Sequence, residues 1–392
     1  MSTTTLALSP QNKKQFAACL STFLFNGALA LSIGALLPFL REAYGLDYAF
    51  AGLLVSLHSV GNLVASFTAG LLPLAVGRRK SILLFTLCYS LSFLFMMLFS
   101  SHIMLAITFI MTGLARGAVS NFNNSAITEI APGKAWALNT LHAAFAVGAF
   151  AAPFLVLGCT QWLGSWKIMC GIMIAFGVCE LLIYAFMPIP NNRVVKSEKG
   201  NKNLGFLQEK QFWIGTGTLF FYLCAEQGVI GWMVTYFKDS GIMSAAYAQT
   251  MASILWILIL AGRLTAAYLS SRMDKSRLLG LMGIGFVAFF VVVMLGRSLP
   301  VITLGIAGFG FSMAGIYPTT VSQCGAIIKK YPMAWSVILT TASFGSILMP
   351  SIVGAVAESA GIYMGMCTIV IAVVITLGFI AANLIMHRKQ QQ

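Results

Sequence analysis

The sequence predicts an all-α membrane protein of twelve transmembrane helices, arranged as two six-helix pseudo-symmetric bundles. Three observations predict it. Of 392 residues, 59% are hydrophobic and only 9% charged, against roughly 25% charged in a soluble domain. The apolar residues fall into long runs, each near the roughly 20 residues that cross a hydrocarbon core of about 30 Å. A register of 197 residues relates the two halves.

The apolar runs lie at about 16–40, 48–74, 81–100, 103–127, 139–162 and 168–188, then at 212–237, 247–271, 277–296, 299–325, 333–357 and 362–386. Runs of this length without a barrel's alternation satisfy their backbone only as helices. Lys13 and Lys14 precede a first run too long for a signal peptide, so it reads as span one. Of the 24 Lys and Arg residues, eighteen fall on the side of the chain ends and four on the other (Arg41, Lys167, Lys238, Arg297). By the positive-inside rule both termini are then cytoplasmic, and a bacterial inner membrane is the expected location. The remaining two, Arg116 and Arg263, fall inside spans.

The formal charge of +14 does not point to nucleic acid, because the cations sit in short clusters between spans and form no basic face. None of the eight cysteines makes a Cys-x-x-Cys pair, so they indicate neither a zinc site nor a disulfide framework; they read as packing residues. No metal or cofactor is expected. Catalytic clusters such as His-Glu-x-x-His and the Gly-x-x-x-x-Gly-Lys-Ser/Thr pattern are missing from the sequence, which argues against an enzyme and against direct ATP drive.

One long polar connection, with Pro190, Asn191, Asn192 and five cations, divides the chain. The predicted organisation is a first bundle at 1–188, a cytoplasmic linker at 189–211 and a second bundle at 212–392. The halves repeat: Gly148-x-x-x-x-Pro153 matches Gly345-x-x-x-x-Pro350, Gly113 matches Gly310, and Arg78 and Lys80 match Lys275 and Arg277, all at an offset of 197. Parallel six-helix repeats place a solute site near the midplane between them.

Several motifs carry a resemblance. Gly70-Leu-Leu-Pro-Leu-Ala-Val-Gly77-Arg78-Arg79-Lys80 resembles the loop between spans two and three of the major facilitator superfamily, although Leu74 replaces its usual aspartate. Asn139-Thr-Leu141-His142-Ala-Ala-Phe145-Ala-Val-Gly148-Ala149, followed by Pro153, is similar to span five of fucose-permease-like sugar transporters. Asn124, the Tyr222-to-Tyr236 stretch of span seven, Gly262-Arg263 and Tyr317-Pro318 fit the same group. The resemblance implies proton-coupled uptake of a sugar-like solute by a monomer that works by alternating access. Arg116 departs from it, since a neutral sugar does not require a cation there.

Ionisable groups deep in a span cost about 2.5–3.5 kcal/mol and are functional by default. Glu226 lies roughly 21 Å along span seven; it reads as a proton-coupling or substrate-binding carboxylate, or else as half of a permanent ion pair. Thr112, Arg116, Ser120 and Asn124 recur every fourth residue and form one polar stripe on span four. Arg116 is then either a bidentate donor to a carboxylate or phosphate solute, or a partner of Glu226 or Glu180 that is released during coupling. His58, Asn62 and Ser66 repeat the spacing on span two; His58 titrates near neutrality when unperturbed or else packs. His142 reads as a sugar contact, a gate or a packing residue. Asn26 offers both donor and acceptor to hydroxyls. Gln227, Trp232 and Trp256 suit a sugar's hydroxyls and C–H face, with an interfacial belt as the alternative for Trp232. Tyr317 and Ser343 complete the candidate set. Arg263 is expected at a gate near Asp274, and Glu129 beside Lys134 or Arg78.

Overall fold

The computed structural model describes residues 9–131, 135–189, 204–270 and 272–391. They are almost wholly helical: α1 (Pro10–Tyr44), α2 (Tyr48–Val76), α3 (Arg78–Leu98), α4 (His102–Ile130), α5 (Ala135–Gln161), α6 (Trp166–Phe186), α7 (Lys210–Asp239), α8 (Ala245–Leu269), α9 (Lys275–Leu295), α10 (Leu299–Met313), α11 (Ile316–Gln323), α12 (Gly325–Lys330), α13 (Pro332–Ala360) and α14 (Ile362–Gln391). Among the described residues, eleven helical segments are long and apolar enough to cross a membrane, with α10 and α11 forming one of them. The twelfth expected span is α7. It is 30 residues long but falls outside that set, because Thr, Tyr, Gln and Glu226 interrupt its apolar run. The chain is a multi-pass membrane protein. Large apolar side chains such as Leu264, Leu281 and Ile371 are exposed along the helices, as surfaces solvated by lipid tails are.

Helix ends follow local chemistry. Ser101, Ser165, Ser244 and Asp274 accept backbone N–H bonds at the starts of α4, α6, α8 and α9, satisfying donors that a first turn leaves open. Gly164 and Gly361 turn the chain between α5 and α6 and between α13 and α14 at φ 70° and 87°, a conformation that side chains resist. They are themselves 197 residues apart, the same register as the sequence repeat. The tenth span, expected as one run at 299–325, breaks at Ala314–Gly315. Pro318 explains the break, since its ring excludes the carbonyl four residues back, that of Ala314.

The chain separates into two compact units: residues 1–32 with 60–195, and residues 33–59 with 196–392. In the first, α3 packs on α4 and α6. A Cβ at Gly148 of α5 would collide with the Leu24 carbonyl of α1, and one at Gly27 with the Phe145 carbonyl of α5. In the second, α7 packs on α13 and α14, and a Cβ at Gly345 would collide with the Phe220 carbonyl. The repeated glycine therefore does the same work in both units, letting one backbone lie against another. Residues 205–208, inside the expected linker, form a 3₁₀ turn that buries Phe206 against Phe212, Cys324 and Ile338. Most of the remaining linker, residues 190–203, lies outside the described residues.

Candidate functional site

In the first unit a polar cluster sits wholly inside the helices. Asn26 of α1 is fully buried. Its Nδ2 donates to Ser120 Oγ of α4 at 3.2 Å, and its Oδ1 accepts from the Tyr89 hydroxyl of α3 at 2.6 Å. One turn earlier, Thr22 and Asn123 hydrogen-bond at 3.1 Å. Arg116 and Glu180 both act electrostatically on Tyr89. Glu180 on α6 is fully buried, and neither carboxyl oxygen has a hydrogen-bond partner among the described residues. An amide, two hydroxyls, a cation and an acid thus converge from α1, α3, α4 and α6.

Other candidates separate from this cluster. Asn124 donates to the Ser120 carbonyl of its own helix at 2.8 Å. Asn62 is half-buried where α2 lies against Gly117 of α4. Ser66 is exposed and bonds the Asn62 carbonyl. His142 is exposed, its ring edge-on to Phe23 with centroids 5.5 Å apart.

The second unit holds a different cluster. The Tyr222 hydroxyl donates to Glu226 Oε1 at 2.9 Å. The Tyr317 ring lies 6.3 Å from that of Tyr222, and Arg263 acts electrostatically on Tyr222. Glu226 and Gln227 are half-buried. Trp256 and His58 are buried. Ser343 bonds the Leu339 carbonyl of its own helix. Trp232 is fully buried and donates to the Pro350 carbonyl at 3.0 Å; it belongs to the core and not to an interfacial belt. Asp274 is occupied as the cap of α9.

Charged groups also fasten helix ends. Arg78 pairs with Glu129 at 2.9 Å, while Lys134 lies outside the described residues. Arg79 donates to the Ala185 and Met187 carbonyls, capping α6. At the opposite end of α1, Arg41 pairs with Asp239 and Lys238 with Glu42. The Arg41 guanidinium covers the Tyr48 ring at 3.6 Å, the Tyr48 hydroxyl donates to Asp239, and its backbone N–H donates to Glu358. Sequence reasoning missed Tyr89, which reads as one more aromatic. It also missed this ionic latch, although the offset of 197 carries Arg41-Glu42 onto Lys238-Asp239.

Long apolar helices enclosing two separate polar clusters, each built around an acid and a tyrosine, define a membrane transporter. A family model described as the Major Facilitator Superfamily matches residues 18–327, and the chain belongs to that superfamily, whose members are generally not enzymes. A gallate transporter of Pseudomonas putida is 22% identical over 341 residues, covering 76% of this chain and 74% of that protein. An arabinose-proton symporter of Bacillus subtilis is 28% identical over 200 residues, 49% of this chain and 43% of that one. The solved structure of a bacterial homologue of the human lysosomal transporter Spinster superposes with a TM-score of 0.77 at 17% identity, covering 96% and 97% of the two chains.

Proposed function

We propose that this transporter moves a small polar solute, of the sugar or sugar-derivative class, with protons coupled through Glu226 and Arg116. The observation that carries the reading is the Tyr222–Glu226 hydrogen bond: a half-buried carboxylate, its hydroxyl donor and Tyr317 share one region of the second unit. A carboxylate so placed accepts solute hydroxyls when ionised and holds a proton when neutral. The arabinose-proton symporter among the relatives supports the same class, and the resemblance to fucose-permease-like proteins stays within it. The cation distribution supports cytoplasmic termini, and the reading includes a monomer, as the resemblance implies, in a bacterial inner membrane.

A second reading rests on Arg116 and on the gallate transporter among the relatives. A guanidinium half-buried on a polar stripe suits a carboxylate solute, which would make the protein an organic-anion symporter or exchanger. Uptake of labelled arabinose, glucose and gallate into proteoliposomes, with and without an inward proton gradient, separates the two. The sugar reading expects gradient-driven arabinose or glucose accumulation that Glu226→Gln abolishes and Arg116→Gln weakens only in its coupling. Gallate uptake alone, lost in Arg116→Gln, would establish the anion reading and overturn the first.

A further inference from the structure

Glu180 is the one acid among the described residues that is completely buried. Neither of its carboxyl oxygens meets a hydrogen-bond donor there. The groups around it can be named element by element. Its own helix places Tyr184 one turn on, itself fully buried and with Cys19 of α1 as an electrostatic neighbour. From α3 comes Tyr89, whose hydroxyl is committed to Asn26. From α4 comes Arg116, which like Glu180 acts electrostatically on Tyr89. The titratable residues of α5 are His142, set against Phe23, and Cys159, beside Cys170 near the far end of α6.

An ionised carboxylate without hydrogen bonds or a paired cation is among the costliest groups a protein interior can hold, and such groups neutralise instead. We propose that Glu180 is a proton-binding site of the first unit, distinct from Glu226, and that it carries its proton in this conformation. The step is a bare ionisation: the carboxyl O–H breaks, the carboxylate keeps the electron pair, and the proton passes to water that reaches the group in another conformation. Loss of the proton therefore disfavours the present arrangement and favours one in which the carboxylate meets water or Arg116. A ligand shifts a conformational equilibrium only by its differential affinity, and here the ligand is the proton. The idea deepens the proton-coupled reading of the transporter and rests on it for its physiological meaning.

The test is infrared difference spectroscopy of the full chain in lipid, across about pH 5 to 9, on wild type, Glu180→Gln and Glu226→Gln. Wild type should show a protonated-carboxyl C=O band at neutral pH, retained in Glu226→Gln and missing in Glu180→Gln. A band that survives unchanged in Glu180→Gln, or no such band in wild type, overturns the proposal. Should Glu180→Gln fail to fold, dicyclohexylcarbodiimide, which adds to protonated carboxyls within the bilayer, is applied to wild type. Its adduct is sought by peptide mass; an adduct at Glu180 supports the site, and an unmodified Glu180 refutes it. Where wild type accumulates arabinose under a proton gradient, Glu180→Gln should lose accumulation while retaining arabinose exchange. If none of the three labelled solutes is taken up, the solute assignment fails while the infrared result still decides the proton site.

Discussion

The ionic latch at the ends of α1 and α7 allows a quantitative prediction, because its two pairs differ in exposure. Arg41 and Asp239 retain 15% and 19% of their side-chain accessibility, whereas Glu42 retains 73%. Asp239 also accepts from the Tyr48 hydroxyl at 3.0 Å. Charged hydrogen bonds contribute about 1.5–3 kcal/mol each, so removing the Asp239 charge should cost the latched arrangement about 2 kcal/mol. Exposed pairs contribute only about 0–1 kcal/mol, which sets the expectation for Glu42. At about 1.4 kcal/mol per tenfold, Asp239→Asn should raise the unlatched population roughly 30-fold. Ser56 reports on it: the residue is buried and accepts from Ser351 of α13 at 2.7 Å, so Ser56→Cys should react with maleimide only when α2 and α13 part. The rate, read by peptide mass at that position, should rise roughly 30-fold in Asp239→Asn and less than about 5-fold in Glu42→Gln. Exchanging the charges, Arg41→Asp with Asp239→Arg, should restore slow labelling. Equal rates in Asp239→Asn and its parent would refute the assignment of Asp239 as the stronger half.

Two further predictions concern packing and buried polarity. Gly148→Leu and Gly345→Leu should each lower thermal stability by about 1–3 kcal/mol, because each side chain would meet a backbone carbonyl that cannot rotate away; an unchanged melting temperature in either would contradict the shared role. Asn26→Ala leaves the fully buried Tyr89 hydroxyl without its acceptor, costing about 1–3 kcal/mol. Adding Tyr89→Phe should recover part of the loss, and strict additivity of the two changes would show that they do not interact.

The helices were legible because a membrane span is defined by length and apolarity alone, and α2, α3, α6 and α14 begin within a few residues of their expected starts. The break in the tenth span was written in Pro318 but hidden by the continuous apolarity around it. Polar stripes were less informative. Serine and asparagine in a helix bond readily to the carbonyl four residues back, and Asn124 and Ser343 do so, a choice that spacing cannot distinguish from binding. Conversely, Asn26 and Ser120 meet through Nδ2 and Oγ from different helices, which follows from how α1 packs on α4 and not from either helix's own pattern. Glu180 entered the sequence reading only as a partner for Arg116, because the lack of donors around it depends on its neighbours.

The two latch bonds join Arg41 to Asp239 and Glu42 to Lys238, at separations of 198 and 196 residues. They are centred on the repeat itself, so a basic-acidic dipeptide meets its own later copy, each cation taking the other's anion. That is the signature of an isologous contact between identical subunits. A six-helix ancestor carrying one such dipeptide would have obtained both bonds on pairing with a second molecule of itself. In a single chain the two copies would be free to differ, and lysine and aspartate stand in one where arginine and glutamate stand in the other.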